Sequence, residues 1–298
     1  MIAYRHYIKF IPELKNDKKV EGSFVNSIII KESKYLELAD TVQNKIEFPE
    51  SQGRELALYS DGEFNHNQKE QTWAFEIKGI LTFFWHSGTY EIEYIAHESF
   101  TEYLLKYWLL HVVLPTFFTI EGIYDFLHAG AVEVGGKPIL FIAESFGGKS
   151  TMTDYFMKQG HTMISDDKVA TLRKEDGIFA VPSYPYHRPY RNMEDMGFFV
   201  EQFTHTPKVM QTIYALEGVA SDQEVSIEKL SGIENFKALR QAKEMNLFFP
   251  ESVQMKYLTD ILQFVSIFKI TVPWDLERLS EVYDAIIQHQ TDLEGKNE

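Results

Sequence analysis

The chain has 298 residues, with 44 acidic and 29 basic side chains, ten histidines and no cysteine. This length predicts one large domain or two smaller ones, and hydrophobic and charged fractions of 44% and 24% are those of an ordinary folded protein. The lack of cysteine excludes disulfides, thiolate zinc sites and cysteine nucleophiles. The formal net charge of −15 argues against a nucleic-acid partner, because binding of a phosphate backbone requires concentrated Lys and Arg.

Targeting segments are not recognisable in the sequence. The first residues include Arg5 and His6, where a signal peptide would need about 7–15 uninterrupted apolar residues. The most apolar stretch, residues 107–120, contains His111 and Pro115 and is shorter than the roughly 20 residues that cross a bilayer as a helix. We therefore predict a cytoplasmic protein that has no membrane partner.

Short segments rich in β-branched and aromatic residues fill the first 96 positions. Turn clusters such as Ser60-Asp61-Gly62 and Lys78-Gly79 separate them, which is typical of strands. The predicted strands are residues 25–30, 56–59, 73–77, 80–85 and 90–94. Ionisable residues form no catalytic grouping here, so residues 1–96 are predicted to be a β-rich domain that binds a substrate or partner.

The pattern becomes helical at Ser99. Ser99 and Glu102 have the spacing of a capping box, and apolar side chains then recur at helical spacing up to Pro115, where we expect the helix to end. Residues 97–119 are therefore predicted to be a helix that links two domains.

Residues 120–298 alternate between strands and helices. Residues 126–134 and 138–142 are predicted to pair as a hairpin, because Gly135-Gly136 suits a tight turn with positive φ angles. Gly160 is expected to cap the helix that begins at Lys149. The other predicted strands and helices are residues 161–165, 209–216 and 267–272, and residues 233–242, 257–264 and 275–288, respectively. This alternation predicts an α/β domain.

The segment Ala143-Glu144-Ser145-Phe146-Gly147-Gly148-Lys149-Ser150-Thr151 has the context of a phosphate-binding loop of the Walker A type, because it follows an apolar strand and opens a helix. In such a loop, backbone N–H groups cradle the phosphates, the lysine neutralises phosphate oxygens and the serine hydroxyl holds Mg²⁺. The predicted ATP-binding residues are Ser145, Phe146, Gly147, Gly148, Lys149, Ser150 and Thr151.

Two positions of this loop depart from the usual pattern. Ala143 stands where the motif has glycine, which adds only a methyl group. Phe146 stands where related kinases commonly have another glycine, and a positive φ there would cost about 1 kcal/mol or more.

An acidic pair, Asp166-Asp167, closes the strand that follows the phosphate-loop helix. The pair is expected at the carboxyl edge of the sheet beside the phosphates, where one carboxylate can anchor Mg²⁺ and the other can accept the proton of an attacking hydroxyl. The alternative is a solvated turn.

Two further segments supply candidate groups. His128, on the hairpin strand, can reach the transferred phosphate or orient the base, or it is a core histidine bonded to backbone. Arg188 and Arg191 lie in a proline-bracketed loop and suit either a transferring phosphate or an acidic substrate, although arginine in a surface loop also serves packing.

Residues 127–132, the phosphate loop and residues 165–169 together resemble the catalytic domain of bacterial HPr kinase/phosphorylase, whose P-loop architecture is shared with phosphoenolpyruvate carboxykinase. The resemblance covers about residues 120–288 and includes the closing segment 272–279. It implies that Ser150 and Asp166 serve the metal, that Asp167 is the base, and that His128 approaches the transferred phosphate.

Two other parts of the sequence differ from HPr kinases themselves. Residues 186–191 stand in place of the Glu-, Arg- and Gly-rich signature loop of HPr kinases. The layout of the N-terminal half is nearer to the HPr-kinase-like proteins that phosphorylate lasso-peptide precursors.

The sequence thus predicts an α/β P-loop kinase of the HPr kinase/phosphoenolpyruvate carboxykinase type, preceded by the β-rich domain and the linking helix. It would transfer phosphate from ATP–Mg²⁺ to a serine of a peptide or small protein, bound by the N-terminal domain with Arg188 or Arg191 nearby. The alternatives are a kinase of a small hydroxylated metabolite and a nucleotide-binding interaction module without catalysis. The oligomeric state, a homo-oligomer included, is left open.

Overall fold

The computed structural model describes residues 1–15, 22–33, 42–51, 53–62, 70–144, 146–189, 192–243 and 250–295. The chain forms two compact units. The first consists of Met1–Asp125, Tyr190–Gly197 and Met245–Glu251, and the second of Phe126–Pro189, Phe198–Glu244 and Ser252–Glu298. Both units combine helices with sheets, so the protein is of the mixed α/β class, as the sequence predicts.

One eight-stranded sheet dominates the first unit. Its strands are β1 (Ile2–Ala3), β2 (His6–Ile11), β3 (Asn26–Glu32), β4 (Asn44–Ser51), β5 (Arg54–Ser60), β6 (Thr72–Ile77), β7 (Leu81–His86) and β8 (Glu91–Ala96). Their order is β1-β2-β3-β8-β7-β6-β5-β4. The pairs β2–β3 and β3–β8 are parallel, and the other neighbours are antiparallel.

The sequence predicts β3 and β5–β8 to within two residues, but it does not predict β1, β2 or β4. β4 contains Asn44, Lys45 and Pro49, which disfavour strands in general. As the last strand of the sheet, β4 tolerates them, because charged residues and proline are common in edge strands.

A helical segment packs against this sheet through aromatic side chains. It consists of α1 (Glu102–Trp108), one wider π turn (Leu109–Val113) and α2 (Leu114–Ile120). The Phe117 ring lies 5.9 Å from that of Trp85, and the Phe118 ring lies 4.8 Å from that of His6, measured between centroids. The segment therefore covers the core of the first unit.

Two details of this segment correct the sequence analysis. The N-cap is Thr101, whose hydroxyl accepts a hydrogen bond from Leu104 N at 3.1 Å, and not Ser99. Pro115 does not end the helix. The π turn gives Leu114 N–H a partner five residues back, at Leu109 O, so Pro115 falls in the first turn of α2, where its missing N–H costs little.

The continuous helical segment, Glu102–Ile120, is 19 residues long, not fourteen, and is long and apolar enough to cross a membrane by length and composition. It is the one such helix within the described residues, and 72% of its apolar window is buried inside the fold. That burial is typical of the core helix of a soluble protein.

A six-stranded sheet forms the centre of the second unit. Its strands are β10 (Gly130–Val134), β11 (Lys137–Ile142), β12 (Thr162–Ser165), β18 (Thr212–Val219), β19 (Ile227–Lys229) and β20 (Ser266–Pro273). The order is β12-β10-β11-β18-β20-β19. β11, β18 and β20 are parallel, and β12 runs the same way because β11 and β12 are both antiparallel to β10. These four strands therefore end at the same edge of the sheet.

Smaller strands and four helices surround this sheet. A four-stranded sheet, in the order β17-β14-β13-β9, consists of β9 (Asp125–His128), β13 (Lys168–Lys174), β14 (Gly177–Val181) and β17 (Lys208–Val209), and β15 (Tyr186–His187) pairs with β16 (Phe198–Phe199). The helices are α3 (Lys149–Lys158), α4 (Ile233–Ala242), α5 (Glu251–Phe264) and α6 (Leu279–Glu294), the last preceded by a 3₁₀ turn (Leu276–Arg278).

The six-stranded sheet is buried on both faces because its side chains alternate between two apolar clusters. One face packs on α3 and α6; this cluster includes Val132, Phe141, Met152, Phe156 and Ile286. The other face packs on the four-stranded sheet, α4 and α5; this cluster includes Ala131, Leu140, Val169, Leu239 and Ile261.

The predicted hairpin is confirmed over β10 and β11, where Gly135 and Gly136 have φ angles of +57° and +82°. The prediction that residues 126–134 form one strand is wrong. The chain leaves the four-stranded sheet after His128 and enters the six-stranded sheet at Gly130. His128 therefore lies on β9 and not on the hairpin.

Most of the other predicted elements of this unit are present with shifted ends. α4 has the predicted bounds, α5 begins six residues earlier than predicted, and Gly160 follows α3 with a φ of +92°. β13 and β14 are not predicted by the sequence analysis.

Candidate functional site

The turn between β11 and α3 is shaped by two glycines. A Cβ at Gly147 would lie 2.7 Å from the Cβ of Ala143, so no side chain fits there. Gly148 has a φ of +88° and is the N-cap of α3. The segment is therefore a strand, a tight glycine loop and a helix in succession, as the sequence predicts. Ser145 lies outside the described residues, so its predicted contact with ATP stays a prediction.

Phe146 has a positive φ angle, the conformation in which a residue other than glycine is strained at this position. Its φ is +63°, in the left-handed region, where a residue other than glycine costs about 1–2 kcal/mol. Its side chain is 81% exposed. Little apolar burial therefore offsets the cost of this conformation. The strained residue lies in the candidate site, and backbone strain often occurs at functional sites.

The lysine of the loop folds back onto it. Lys149 is 4% exposed, and its Nζ donates hydrogen bonds to the carbonyl oxygens of Ala143 at 2.8 Å and Glu144 at 3.2 Å. These bonds hold a positive charge against the loop. Ser150 and Thr151 follow in the first turn of α3, and both are half-buried.

Gly130, which has no side chain, allows α3 to pack closely against β10. A Cβ at Gly130 would collide with Thr153 Oγ1 and would lie 3.4 Å from the backbone oxygen of Asp166. The Thr153 hydroxyl itself donates to Lys149 O at 3.0 Å. Gly130 thus allows the helix after the loop and the start of the acidic pair to approach the same strand.

The acidic pair lies where the chain leaves one sheet for another. Ser165 ends β12, and Lys168 begins β13 of the four-stranded sheet. Ala129 occupies the other crossing between these sheets, and its N–H donates to Asp167 O at 3.1 Å. Because β11 and β12 end at the same edge, the pair and the glycine loop share that edge, with β10 between them.

The structure brings together the three residues that the sequence assigns to catalysis. Asp167 Oδ1 lies 3.4 Å from Nδ1 of His128, and Asp167 Oδ2 lies 3.5 Å from Nη2 of Arg188. The Asp167 side chain is 18% exposed, which leaves it reachable from solvent. A carboxylate is thus flanked by an imidazole and a guanidinium. Arg191, the other arginine of this loop, lies outside the described residues.

Asp166 is more deeply buried and more closely surrounded. Its Oδ2 accepts a hydrogen bond from the backbone N–H of Arg188 at 2.7 Å, and its Oδ1 lies 2.8 Å from Nδ1 of His187. His187 is completely buried, and its Nε2 lies 3.7 Å from Oδ1 of Asp154 on α3. The hydrogen bond from Arg188 N therefore holds Asp166 against this loop, and His187 lies between Asp166 and Asp154 of α3.

Sequence reasoning did not find the contribution of His187. It places the histidine in the proline-bracketed loop but assigns it no role, because nothing local shows that this loop folds back onto the acidic pair. The signal that could have suggested it is the pair of prolines, Pro185 and Pro189, which bracket a short polar segment and limit its conformations.

The oxygen donors predicted for magnesium are of the kind that this ion takes. Ser150 offers a hydroxyl and Asp166 a carboxylate, each of whose oxygens can accept more than one partner. The described part of the chain has no group of three or more His, Cys, Asp or Glu side chains arranged to hold a metal. Magnesium in kinases commonly uses only one or two protein oxygens together with phosphate and water, so the residues present fit it.

Comparisons with known proteins find distant likenesses among solved structures. No protein-family model and no curated protein matches the chain. The solved structure of the HPr(Ser) kinase/phosphatase from Coxiella burnetii is similar, with a TM-score of 0.38 and 13% identity over 58% of this chain and 94% of that one.

Proposed function

We propose that the protein is a phosphotransferase of the HPr-kinase-like type, which transfers the γ-phosphate of ATP to a hydroxyl group in the cytoplasm. The observation that carries this proposal is the flanking of Asp167 by His128 and Arg188, at the sheet edge that also bears the Gly147-Gly148-Lys149-Ser150 turn. A phosphate cradle alone would support binding. A carboxylate beside it, accompanied by a basic and a cationic group, is what transfer to a hydroxyl requires in addition.

The glycine loop supports the binding half of this function. The backbone at Gly147 and Gly148 leaves room for phosphate oxygens at the N-terminus of α3, where the helix dipole favours negative charge. Lys149 already lies against the loop, and its ammonium would exchange carbonyl partners for phosphate oxygens. Ser150 and Asp166 would hold Mg²⁺, which neutralises charge on the phosphates when it is bound.

The acidic pair supports the second part of the proposed function, the transfer of phosphate to a hydroxyl. As the acceptor oxygen forms a bond to the γ-phosphorus, the bond from that phosphorus to the β–γ bridging oxygen breaks, and the hydroxyl proton passes to Asp167. His128 and Arg188 flank the Asp167 carboxylate, and Arg188 would neutralise a transferred phosphate. Asp166, which accepts a hydrogen bond from Arg188 N and lies close to His187, would serve the metal side of the pair.

The acceptor that we propose is a serine in a peptide or small protein. Support comes from the eight-stranded sheet of the first unit, where residues 44–48 of the edge strand β4 precede Pro49 and have the backbone N–H and C=O groups that extended peptides pair with. Near the other end of this sheet, the exposed rings of Tyr7 and Phe24 lie 5.5 Å apart, measured between centroids, and would offer an apolar contact to a protein acceptor.

The experiment for the catalytic proposal uses the full chain, labelled ATP and Mg²⁺ with a library of peptides and hydroxylated metabolites. Lys149→Ala should weaken ATP binding, measured by calorimetry, and abolish transfer, because a point charge on the phosphates is lost. Lys256→Ala is the matched control, since Lys256 forms an exposed ion pair with Asp260 on α5. Unchanged ATP affinity in Lys149→Ala would refute the phosphate-loop assignment.

The same assay decides between the acceptor classes. A serine presented in peptides of one, three, seven and eleven residues should be phosphorylated with kcat/KM rising at least tenfold with length, because longer peptides gain main-chain contacts. Labelling of free metabolites alone would make the protein a metabolite kinase. ATP binding without transfer to any acceptor would make it a nucleotide-binding interaction module.

A further inference from the structure

A cavity opens on the flank of the glycine loop that faces away from the acidic pair. It has a volume of about 680 Å³, within the range of small-molecule sites, and it begins at Ala143, Phe146 and Gly147 of the loop. From there it extends along the carboxyl ends of β18 and β20 as far as Trp274. Ligands of open α/β sheets bind outside the carboxyl ends of the strands, so this position is a natural one for a ligand.

Trp274 is the most prominent wall of this cavity. Its indole ring lies against Gly218 of β18 so closely that a Cβ at that glycine would be 3.1 Å from Cε3 and 3.3 Å from Cζ3. The backbone N–H of Trp274 donates to Val219 O at 2.9 Å, which fixes the residue at the end of the sheet. The side chain nevertheless remains 64% exposed. One part of the ring is therefore seated on backbone while the rest is available to a ligand.

The other walls suit an uncharged ring and a sugar better than further phosphates. Aliphatic side chains line the cavity at Ile142, Ala215 and Leu216 of the parallel strands. Its charged side chains are Glu144, Glu217, Glu234, Lys237 and Lys269, three acidic and two basic. An excess of negative charge repels phosphate, whereas carboxylates and the amide of Gln241 can hydrogen-bond to hydroxyl and amino groups.

The order of strands places this cavity and Asp167 on opposite flanks of the loop. β10 and β12, which lead to the acidic pair, lie on one side of β11, and β18 and β20 lie on the other. A nucleotide whose terminal phosphate faces an acceptor has its base at the far end of the phosphate chain. The cavity is on the side where that end must lie when the transferred phosphate faces Asp167.

We propose that this cavity binds the nucleoside part of the phosphate donor, with a purine base stacked on Trp274, an inference that rests on the proposed phosphate-loop function. Gly218 is then a specificity-determining position, because any side chain there would displace the indole ring. The two-ring indole offers a stacking surface of the size of a purine, and such stacking is worth about five- to a hundredfold in affinity per base.

The test compares ligands that differ only in the nucleoside, using the full chain and calorimetry. Trp274→Ala should weaken binding of ADP about five- to a hundredfold and leave binding of inorganic tripolyphosphate unchanged. Trp274→Phe should lose less, because one aromatic ring remains. Leu276→Ala is the matched control, since Leu276 is 75% exposed in the same turn but does not line the cavity. Adenosine should also change tryptophan fluorescence in the wild type but not in Trp274→Phe.

Two results would overturn the proposal. Trp274→Ala and Trp274→Phe could both bind ADP as tightly as the wild type, or Trp274→Ala could weaken tripolyphosphate as much as ADP, which would make the ring a support for the loop. Failure of the phosphate-loop function has a different signature: Lys149→Ala would then leave tripolyphosphate affinity unchanged, while adenosine binding would still depend on Trp274.

Discussion

Carboxylates have different kinds of neighbours in the two units of this protein, although the chemical group is the same. In the first unit, Glu121 accepts hydrogen bonds from Gly88 N at 2.8 Å, Ser87 Oγ at 3.0 Å and Trp85 Nε1 at 3.2 Å. Glu194 likewise accepts from Nε of Arg54 and Nε1 of Trp108, both at 3.1 Å. Each of these carboxylates joins groups from separate parts of the unit.

In the second unit, two neighbours of Asp167 are ionisable side chains. His128 and Arg188 lie 3.4 and 3.5 Å from its two oxygens, beyond the usual range of a strong charged hydrogen bond. The comparison teaches that Glu121 and Glu194 each join hydrogen-bond donors from separate segments of the fold, whereas Asp167 lies between an imidazole and a guanidinium, which suit the proton transfer that we propose.

The largest effect is expected from Asp167→Asn. The amide keeps the size of the side chain but cannot accept the hydroxyl proton, so turnover should fall by the roughly 10²–10⁴-fold typical of the loss of a general base. Single-turnover transfer from labelled ATP measures this loss, and calorimetry should show nearly unchanged ATP affinity. Asp166→Asn is the informative companion, because it should instead weaken the dependence of transfer on Mg²⁺. Wild-type turnover in both variants would show that Asp166 and Asp167 only form a turn and take no part in the transfer.

The opposite behaviour is expected from Glu121→Ala in the first unit. The change leaves the Trp85 indole N–H, which is buried, without its acceptor, and we expect a loss of about 2 kcal/mol in the free energy of unfolding. Urea denaturation measures the loss, and hydrogen exchange should locate it at residues 85–88. Glu98→Ala is the control, because Glu98 is exposed. If Glu121→Ala lowered turnover per folded molecule instead of stability, the comparison would fail.

Local chemistry in the sequence predicts much of the second unit, and long-range pairing accounts for what it misses. The hairpin turn at Gly135-Gly136 and the end of α3 at Gly160 depend on neighbouring residues, and both are confirmed. The placement of His128 on β9 depends instead on a crossing between two sheets at Ala129, which no local pattern marks. Pro115 is a second example. The helical segment continues past this residue because a π turn of five residues precedes it, and the sequence does not predict that turn.

In the candidate site, too, the sequence predicts what depends on local residues but not what depends on long-range contacts. The sequence identifies Lys149, Asp167, His128 and Arg188 as chemical groups, because their residue types and local context suit phosphoryl transfer. It could not show that His187 contacts Asp166 or that the indole ring of Trp274 lies on Gly218, because these contacts join segments that are distant in the chain. Residue chemistry is thus readable locally, whereas the partners of each residue are set by tertiary packing.

A smaller effect is expected at Gly130, where the backbone of β10 meets both α3 and the acidic pair. Gly130→Ala would press a methyl group against Thr153 Oγ1, and we expect a loss of about 1–2 kcal/mol in the free energy of unfolding. Gly295→Ala is the control, because the nearest atom to its added Cβ is 3.8 Å away. The double variant with Thr153→Ala should recover part of the loss. Equal stability of both alanine variants would show that α3 can shift without cost.

The smallest effect concerns Phe146, whose backbone in the glycine loop has a positive φ angle, as do Tyr4, Arg5 and Glu194 in the first unit. At a φ of +63°, alanine retains the strain and glycine removes it, so Phe146→Gly should be more stable than Phe146→Ala by about 1 kcal/mol in urea denaturation. The Phe146 side chain is 81% exposed, so both variants lose little apolar burial and the difference reports the backbone. ATP affinity should be retained in the glycine variant, because the loop then needs no strain to keep its shape. Equal stability of the two variants would mean that the left-handed conformation costs nothing at this position.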